Sequence, residues 1–411
     1  KYLKNKGHNV ELFDTSDYDL DADEYISFKN SQKNSVAVNN LLVRPYESKR
    51  DSLIKHRSAS KDLESKVLEF KPDFLWVKCR TGTGNHLLID SIRGGTKSLD
   101  ANNTDAESSA ANRDMTFYPD GMRWNSNSLT CNENSQTYVA WCWKAGGSSN
   151  TYNIDGTGYA TAAAAGLDGG TIDPTGASIN TKNGFSIVTY TANGTAGATV
   201  AHGLGKKPAW IIIKCRSNGD NWMVNHQLMN QGSSPEDHYS ELNFHGGATD
   251  SPNMLNDTAP TDTLVTINND GAVNSGSRTY VMYCWAEIPG YSKFGYYQAN
   301  GVDNQGPYVH LGFRPAWIMI KSMSLSNSDW TIFDNKRNTV NHANNHLAAN
   351  QNHAEASDNY EIVDFYSNGF KVTGLSGSAI NYNTSYPQLI YMAFAEQPAL
   401  TAFDQANPNA R

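Results

Sequence analysis

Three histidines, His342, His346 and His353, fall in the segment HANNHLAANQNH. The first two are four apart, a spacing that on a helix turns two imidazoles toward one metal ion. No HExxH glutamate accompanies them, and asparagine-rich flanks disfavour a helix, so a polar loop is the favoured reading. Paired carboxylates are the signature of glycoside hydrolysis, one giving a proton and the other acting as base or nucleophile. Glu287 and Glu396 end two similar segments, and Asp334 follows Trp330. Glu287 and Glu396 would belong to separate domains and cannot act on one bond without close docking, whereas Asp334 with Glu396 is a pair within one domain. HGLGKKP (202–208) fits neither GxxxxGK[ST] nor the dinucleotide pattern, so Gly203 and Gly205 read as a turn before Pro208. The acidic run DTSDYDLDAD (14–23) has calcium-type ligands but lacks the glycine that an EF-hand loop needs at its sixth position. GxSxG is absent, and with it the elbow of the serine hydrolases. No catalytic, cofactor-binding or metal-ligating residue is therefore assigned, no cofactor is expected, and the chain is read as a non-enzyme. Trp222 and Trp330 follow polar loops and are the candidate surface-binding residues, with rings that can stack on a sugar, although their shared position in the internal repeat favours a structural role. Trp76, Trp210 and Trp317 sit in apolar runs, where core packing is the expectation.

The cysteines show the organisation behind these residues. Cys79 and Cys215 each follow an apolar residue and a lysine, Cys142 and Cys284 each precede a tryptophan, and Cys131 stands alone. A Cys79–Cys142 bridge, repeated as Cys215–Cys284, is one reading. Free buried thiols are favoured, because the total is odd and Ser322 and Ala393 occupy the corresponding positions further on. Free thiols imply assembly in a reducing cytoplasm.

The shared positions come from internal similarity. FKPDFLWVKCR (70–80), GKKPAWIIIKCR (205–216) and FRPAWIMIKS (313–322) each place a proline before an aromatic, three apolar residues and a lysine, with Pro72, Pro208 and Pro315 as structural anchors. TYVAWCWKA (137–145), TYVMYCWAE (279–287) and QLIYMAFAE (388–396) read as closing strands. Between them FYPDGMRW, INNDGAVN and FYSNGFKV centre on Asp-Gly or Asn-Gly, a hairpin signal. The lead-ins 184–208 and 293–315 each give two strands around an Asn-Gly, and VAVNNLLVRPY (36–46) is a degenerate counterpart. Units of ~100 residues with turn signals every 8–12 residues point to an all-β fold, tandem β-sandwich (jelly-roll-like) domains in a three-fold internal repeat. The expected division is an attachment or oligomerisation segment over 1–65, β-unit 1 over 66–144, a Gly/Ala/Ser-rich linker over 145–182, β-unit 2 over 183–292 and β-unit 3 over 293–411. A small mixed structure is expected at the N-terminus, with a short helix over 59–69. Ala160 to Ala165 could form a short helix, but the neighbouring glycines argue for an extended loop or irregular strand.

Composition agrees. The chain has 411 residues, 45 of them asparagine and 33 glycine, with only 18% charged, a bias toward turns over long helices. A net charge of −8 argues against nucleic acid, which needs clustered lysine and arginine. The cluster at 44–57 is diluted by Glu47 and Asp51 and reads as a solvated face. No run approaches ~18 apolar residues, so no membrane insertion is expected. KYLKNKGHNVELFD carries no apolar core of a secretory signal and no initiator Met, as in a processed or truncated chain.

NGFSIVTYTANGTAGATVAHGLGKKPAWIIIK, TYVMYCWAEIPGYSKFGYY, GFRPAWIMIK, IFDNKR and IYMAFAEQP resemble tandem-domain tail-fibre-like and virion structural proteins of marine tailed bacteriophages, as does YNIDGTGYATAAAAGLDGG. The resemblance covers about residues 66–411 and brings no catalytic residues. It implies a structural virion protein assembled in the host cytoplasm, a tail fibre or appendage contributing to host attachment. The implied partners are other virion proteins, further copies of the chain (a trimer is favoured), and a host cell-surface glycan or protein. Two alternatives remain open: a capsid decoration or head-fibre protein, and a glycan-degrading tailspike-type enzyme.

Overall fold

The computed structural model describes residues 70–357, 359–382 and 388–396, together with the backbone of five short outlying strands. The chain divides into a small unit, 1–34, and a large one, 35–411. The small unit contains one antiparallel hairpin, Tyr2–Asn5 with His8–Glu11. The rest of the 1–65 segment, apart from Ala37–Asn39, lies outside the described residues, as does the helix expected over 59–69.

The large unit is all-β, with no α-helix among its described residues. Three large sheets share one strand order. In the first, β1 (Phe74–Cys79) lies between β2 (Leu87–Asp90) and β3 (Tyr138–Trp143), with Leu99–Asp100 at one edge and Ala37–Asn39 at the other. In the second, β4 (Phe185–Thr191), β7 (Thr279–Trp285), β5 (Trp210–Cys215) and β6 (Met223–His226) run in that spatial order. In the third the order is β8 (Ser292–Gln298), β11 (Gln388–Ala395), β9 (Pro315–Ser322) and β10 (Thr331–Asp334). The three proline-anchored segments are thus the central strands β1, β5 and β9, and the closing segments pair beside them. Each anchor proline is buried at or just before its strand's start, where a missing N–H costs the ladder nothing. Gly203 and Gly205, both at positive φ, make the turn before Pro208.

A small sheet covers the outer face of each large one. These are Met115–Tyr118 with Gly121–Trp124, Ala198–Ala201 with Leu264–Ile267, and Tyr308–His310 beside Gly369–Val372 and Val363–Tyr366. The lead-in segments deliver one strand to the large sheet and the next to the small one. Two of the three expected hairpins form, with two-residue turns between Tyr118 and Gly121 and between Tyr366 and Gly369. At 267–274 the Asp-Gly instead sits in a turn with no returning strand, because the Asp270 side chain accepts the Ala272 N–H and closes a local turn.

Strands covered on both faces read as continuous apolar runs instead of alternating ones, and β1, β3, β5, β9 and β11 are buried at every position. Their alternate residues enter different cores. Leu75, Val77 and Cys79 face the first small sheet, while Phe74 and Trp76 point inward. Ile211, Ile213 and Cys215 face the second, and Trp210 and Ile212 point inward. Ile318 and Ile320 face the third, and Trp317 and Met319 point inward. The inward residues of all three sandwiches form one aromatic core. Trp143 meets Trp317 edge-on at 5.6 Å, Phe74 meets Tyr283 at 4.9 Å, and Trp210 meets Trp330 at 5.7 Å, so every pair of sandwiches is joined.

The 145–182 stretch, expected as a linker, supplies three strands of the second large sheet. Tyr152–Ile154 pairs antiparallel with Thr157–Tyr159 and parallel with Pro174–Asn180, which pairs with β4. Its small residues permit close approach: a Cβ on Gly146 would meet the Asn153 and Ile179 carbonyls at 2.4 Å. The alanines at 160–165 form turns, not a helix.

Candidate functional site

The two tryptophans weighed as surface-binding candidates are fully buried, as their shared repeat position favoured. Trp222 and Trp330 have no exposed area, and their indole nitrogens donate across seams between sandwiches, to Asp100 O at 3.0 Å and Glu241 O at 2.9 Å. The polar loops before them run over the seam, and the rings turn inward to the shared core. Trp76, Trp210 and Trp317 are buried in the same core, as expected of structural anchors.

The thiols are free and buried. In the β1–β3 register Cys142 lies opposite Leu75, four residues along the strand from Cys79. That is a separation of roughly 13 Å at the strand rise, far beyond disulfide reach. Cys284 lies opposite Ile211, with the same offset from Cys215. Burial pushes the Cys142 thiol up to about 12 and Cys131 to about 11, which keeps both protonated and unreactive at neutral pH.

The seams hold charge that the sequence reading did not single out. Asp90 accepts the Ile92 and Arg93 N–H groups through Oδ1, and Arg93 Nε and the Tyr283 hydroxyl through Oδ2. Arg93 also reaches Glu107, which holds Arg216 of the second sandwich in a two-pronged pair at 2.9 Å. Asp334 repeats the arrangement, accepting Lys336 N, Arg337 N, Arg337 Nε and Trp141 Nε1. Arg337 reaches Glu355, which holds Arg80 of the first sandwich. Burial works against the charge on Arg93 and Arg337, but their carboxylates overcome it and raise both pKa values. The matching Asp-x-x-Arg spacing at 90–93 and 334–337 was the signal available for this. At the second–third seam the corresponding residues are His226 and Met229, and no such network forms among the described residues. His226 Nδ1 accepts the Leu228 N–H, and burial lowers its pKa to about 3.

Lys78, Lys214 and Lys321, the lysines of the three anchor segments, are also buried. Lys214 Nζ donates to Thr104 O of the first sandwich, and Lys321 Nζ to His245 O of the second. Desolvation lowers Lys78 and Lys214 to about 8 and Lys321 to about 7.

The carboxylate pair weighed for glycoside hydrolysis is not assembled as an open pair. Asp334 is buried with both oxygens engaged, and Glu396 is held by Arg314 and Lys336. His346 lies on the strand Asn345–Ala348, not a helix, and His342 faces Asp364 at 2.8 Å. No cluster of three metal-ligating side chains occurs among the described residues.

One open feature among the described residues is a cleft of about 520 Å³ at the second–third seam, lined by polar and apolar groups alike. Gln227 and Leu228 form one wall and β8 with Tyr308–His310 the other. Its floor is Gly295 under Tyr391, where a Cβ would meet the phenol oxygen. The walls are tied together, since Gln227 Nε2 donates to Phe294 O and Gln388 Nε2 to Leu228 O. Tyr296 and Tyr308 are exposed at its rim, and Tyr366, also exposed, packs edge-on against Tyr308 at 5.8 Å.

Residues 54–398 match the family model for a domain of unknown function, DUF7483. The chain belongs to the DUF7483 family. The match takes in β1 to β11, and so the central strands of all three large sheets, spanning three sandwiches instead of one. No curated protein and no solved structure matches the chain.

Proposed function

We propose that this DUF7483 protein is a non-enzymatic structural protein of a bacteriophage virion, a tail fibre or similar appendage that contributes to host-surface adhesion. The sequence resemblance over 66–411 supports that class. The observation that carries the adhesive part is the pair of exposed tyrosines at the second–third seam cleft, Tyr296 and Tyr308, with exposed Tyr366 packed against Tyr308. Tyrosine offers large contact area at small entropic cost because few torsions must be fixed. A particle protein must fold without disulfides and then persist outside the cell, and free buried thiols within a shared core suit both demands. In this reading residues 1–65 join the chain to other virion proteins, and trimerisation is the favoured assembly.

The test is immunogold labelling of intact particles, combined with competition of phage adsorption by purified protein. Label at the tail with reduced adsorption is the expected result. Label spread over the capsid would replace the tail reading with capsid decoration, and release of new reducing ends from host polysaccharide would replace the non-enzymatic one.

A further inference from the structure

We propose that the cleft at the second–third seam is a saccharide-binding site. The inference rests on the adhesion reading and names its ligand class. Of nine exposed large apolar or aromatic residues among those described, two line the cleft, Tyr296 and Tyr308, and a third, Tyr366, packs edge-on against Tyr308, each of the three about two-fifths exposed. Tyr308 is fixed in place, with its hydroxyl on Asn368 Oδ1 at 2.5 Å and its ring against Tyr366. A pinned, half-exposed phenol ring is a platform for the apolar C–H face of a sugar, and it loses little entropy on binding.

Sugar recognition also needs hydroxyl partners converging beside the platform. The cleft supplies both kinds. Glu287 is exposed, and one carboxylate oxygen accepts the Phe294 N–H. Its counterpart at the end of β11, Glu396, is clamped by Arg314 and Lys336, whereas Glu287 makes no ion pair among the described residues and keeps acceptor capacity toward the cleft. Lys293, hydrogen-bonded to His310 O, and the His310 ring bring donors to the wall formed by β8 and Tyr308–His310. The site is placed where the seam lacks the buried arginine–carboxylate network, so its polar groups remain at the surface.

The test uses the full chain on a printed array of bacterial cell-surface oligosaccharides, followed by titration of the best array ligand. Wild type is expected to bind. Tyr296→Ala and Tyr308→Ala are expected to weaken binding by about tenfold or more each, the loss of a contact worth about 1.4 kcal/mol or more. Glu287→Gln is expected to weaken it less, and Tyr118→Ala, at an exposed tyrosine elsewhere, to leave it unchanged. Unaltered melting temperatures would establish that the variants are folded. Absence of array binding by wild type, or wild-type affinity in the Tyr296→Ala/Tyr308→Ala double variant, would overturn the proposal. If that double variant still competes for phage adsorption, adhesion stands and the cleft does not carry it. If wild type itself fails to compete, the adhesion reading falls, whatever the array shows.

Discussion

At the scale of single residues, chemistry-bearing side chains here serve mainly to close seams. Trp222 and Trp330 illustrate it: each fills the shared core and spends its one donor on a carbonyl of another sandwich. Trp222→Phe keeps most of the apolar contact and removes the donor, leaving the Asp100 carbonyl short of a partner. A buried acceptor deprived of its donor costs about 1–3 kcal/mol. Urea unfolding should therefore show a loss of that size for Trp222→Phe and for Trp330→Phe. A loss below a few tenths would mean that the indole nitrogens are incidental. Neither substitution should affect saccharide binding at the cleft. The sequence showed these tryptophans at matched positions but not which way they face. A ring after a polar loop looks the same whether the loop ends at solvent or crosses a seam.

At the scale of elements, the turn after the strand that follows each proline-anchored strand sets how its seam is held. Asp90 after β2's apolar run and Asp334 at the end of β10 each collect four donors. Asparagine at 334 would have to present an amide N–H to groups that are themselves donors, and Arg337 would lose its nearest counter-charge. Breaking a buried pair in this way costs about 3–5 kcal/mol. His226→Asn is the control, because an amide oxygen can replace Nδ1 as acceptor for Leu228 N–H. Chemical denaturation should rank Asp334→Asn well below wild type and His226→Asn close to it; equal losses would show that the network adds nothing to its seam. Much at this scale was legible. Proline, aromatic, three apolar residues and lysine marked β1, β5 and β9, and two of three Asp/Asn-Gly signals marked real hairpins. The 145–182 stretch was not legible as strand, since glycine and alanine carry little β-propensity and its strands are set by close backbone packing in the tertiary fold. The cleft was not legible either, because it joins Gln227 to Tyr308 across a seam that no local pattern encodes.

At the scale of the molecule, three sandwiches with one inner core should behave as one cooperative body. Tandem domains on linkers would unfold in separate steps, but here the inward residues of every large sheet lie in one shared core. Calorimetry should give a single transition with matching calorimetric and van't Hoff enthalpies, and resolved transitions would contradict the shared core. The pH dependence of that transition follows from buried bases held neutral. Burial lowers His202 to about 4, His226 to about 3, and His86 well below its ordinary value. A histidine depressed in the folded state contributes stability that is present above its unfolded pKa, near 6.5, and is lost as pH falls toward the folded value. Asp73 and Glu241, raised by burial, act in the opposite sense, but three histidines outnumber them and begin to titrate at higher pH. Stability should thus decline from about pH 6.5 downward, by up to about 1.4 kcal/mol per pH unit for each histidine. On the alkaline side Lys321, Lys214 and Lys78 are also depressed, so stability should rise as pH goes from about 7 toward 9. From about pH 9 the thiols Cys131, Cys142 and Cys284, all raised in the folded state, offset the lysines, since the unfolded thiols ionise first, and above about pH 10 the buried tyrosines, Tyr190, Tyr283, Tyr291 and Tyr297 among them, also raised, reverse the slope. Melting temperature against pH should therefore climb from 5 to about 9, level off, and turn over above about 10. Lys321→Met should flatten the stretch between 7 and 9, and His226→Asn the stretch below 6.5. A curve that is flat from 5 to 9, or that falls across that range, would show that these buried bases are not held neutral by the fold.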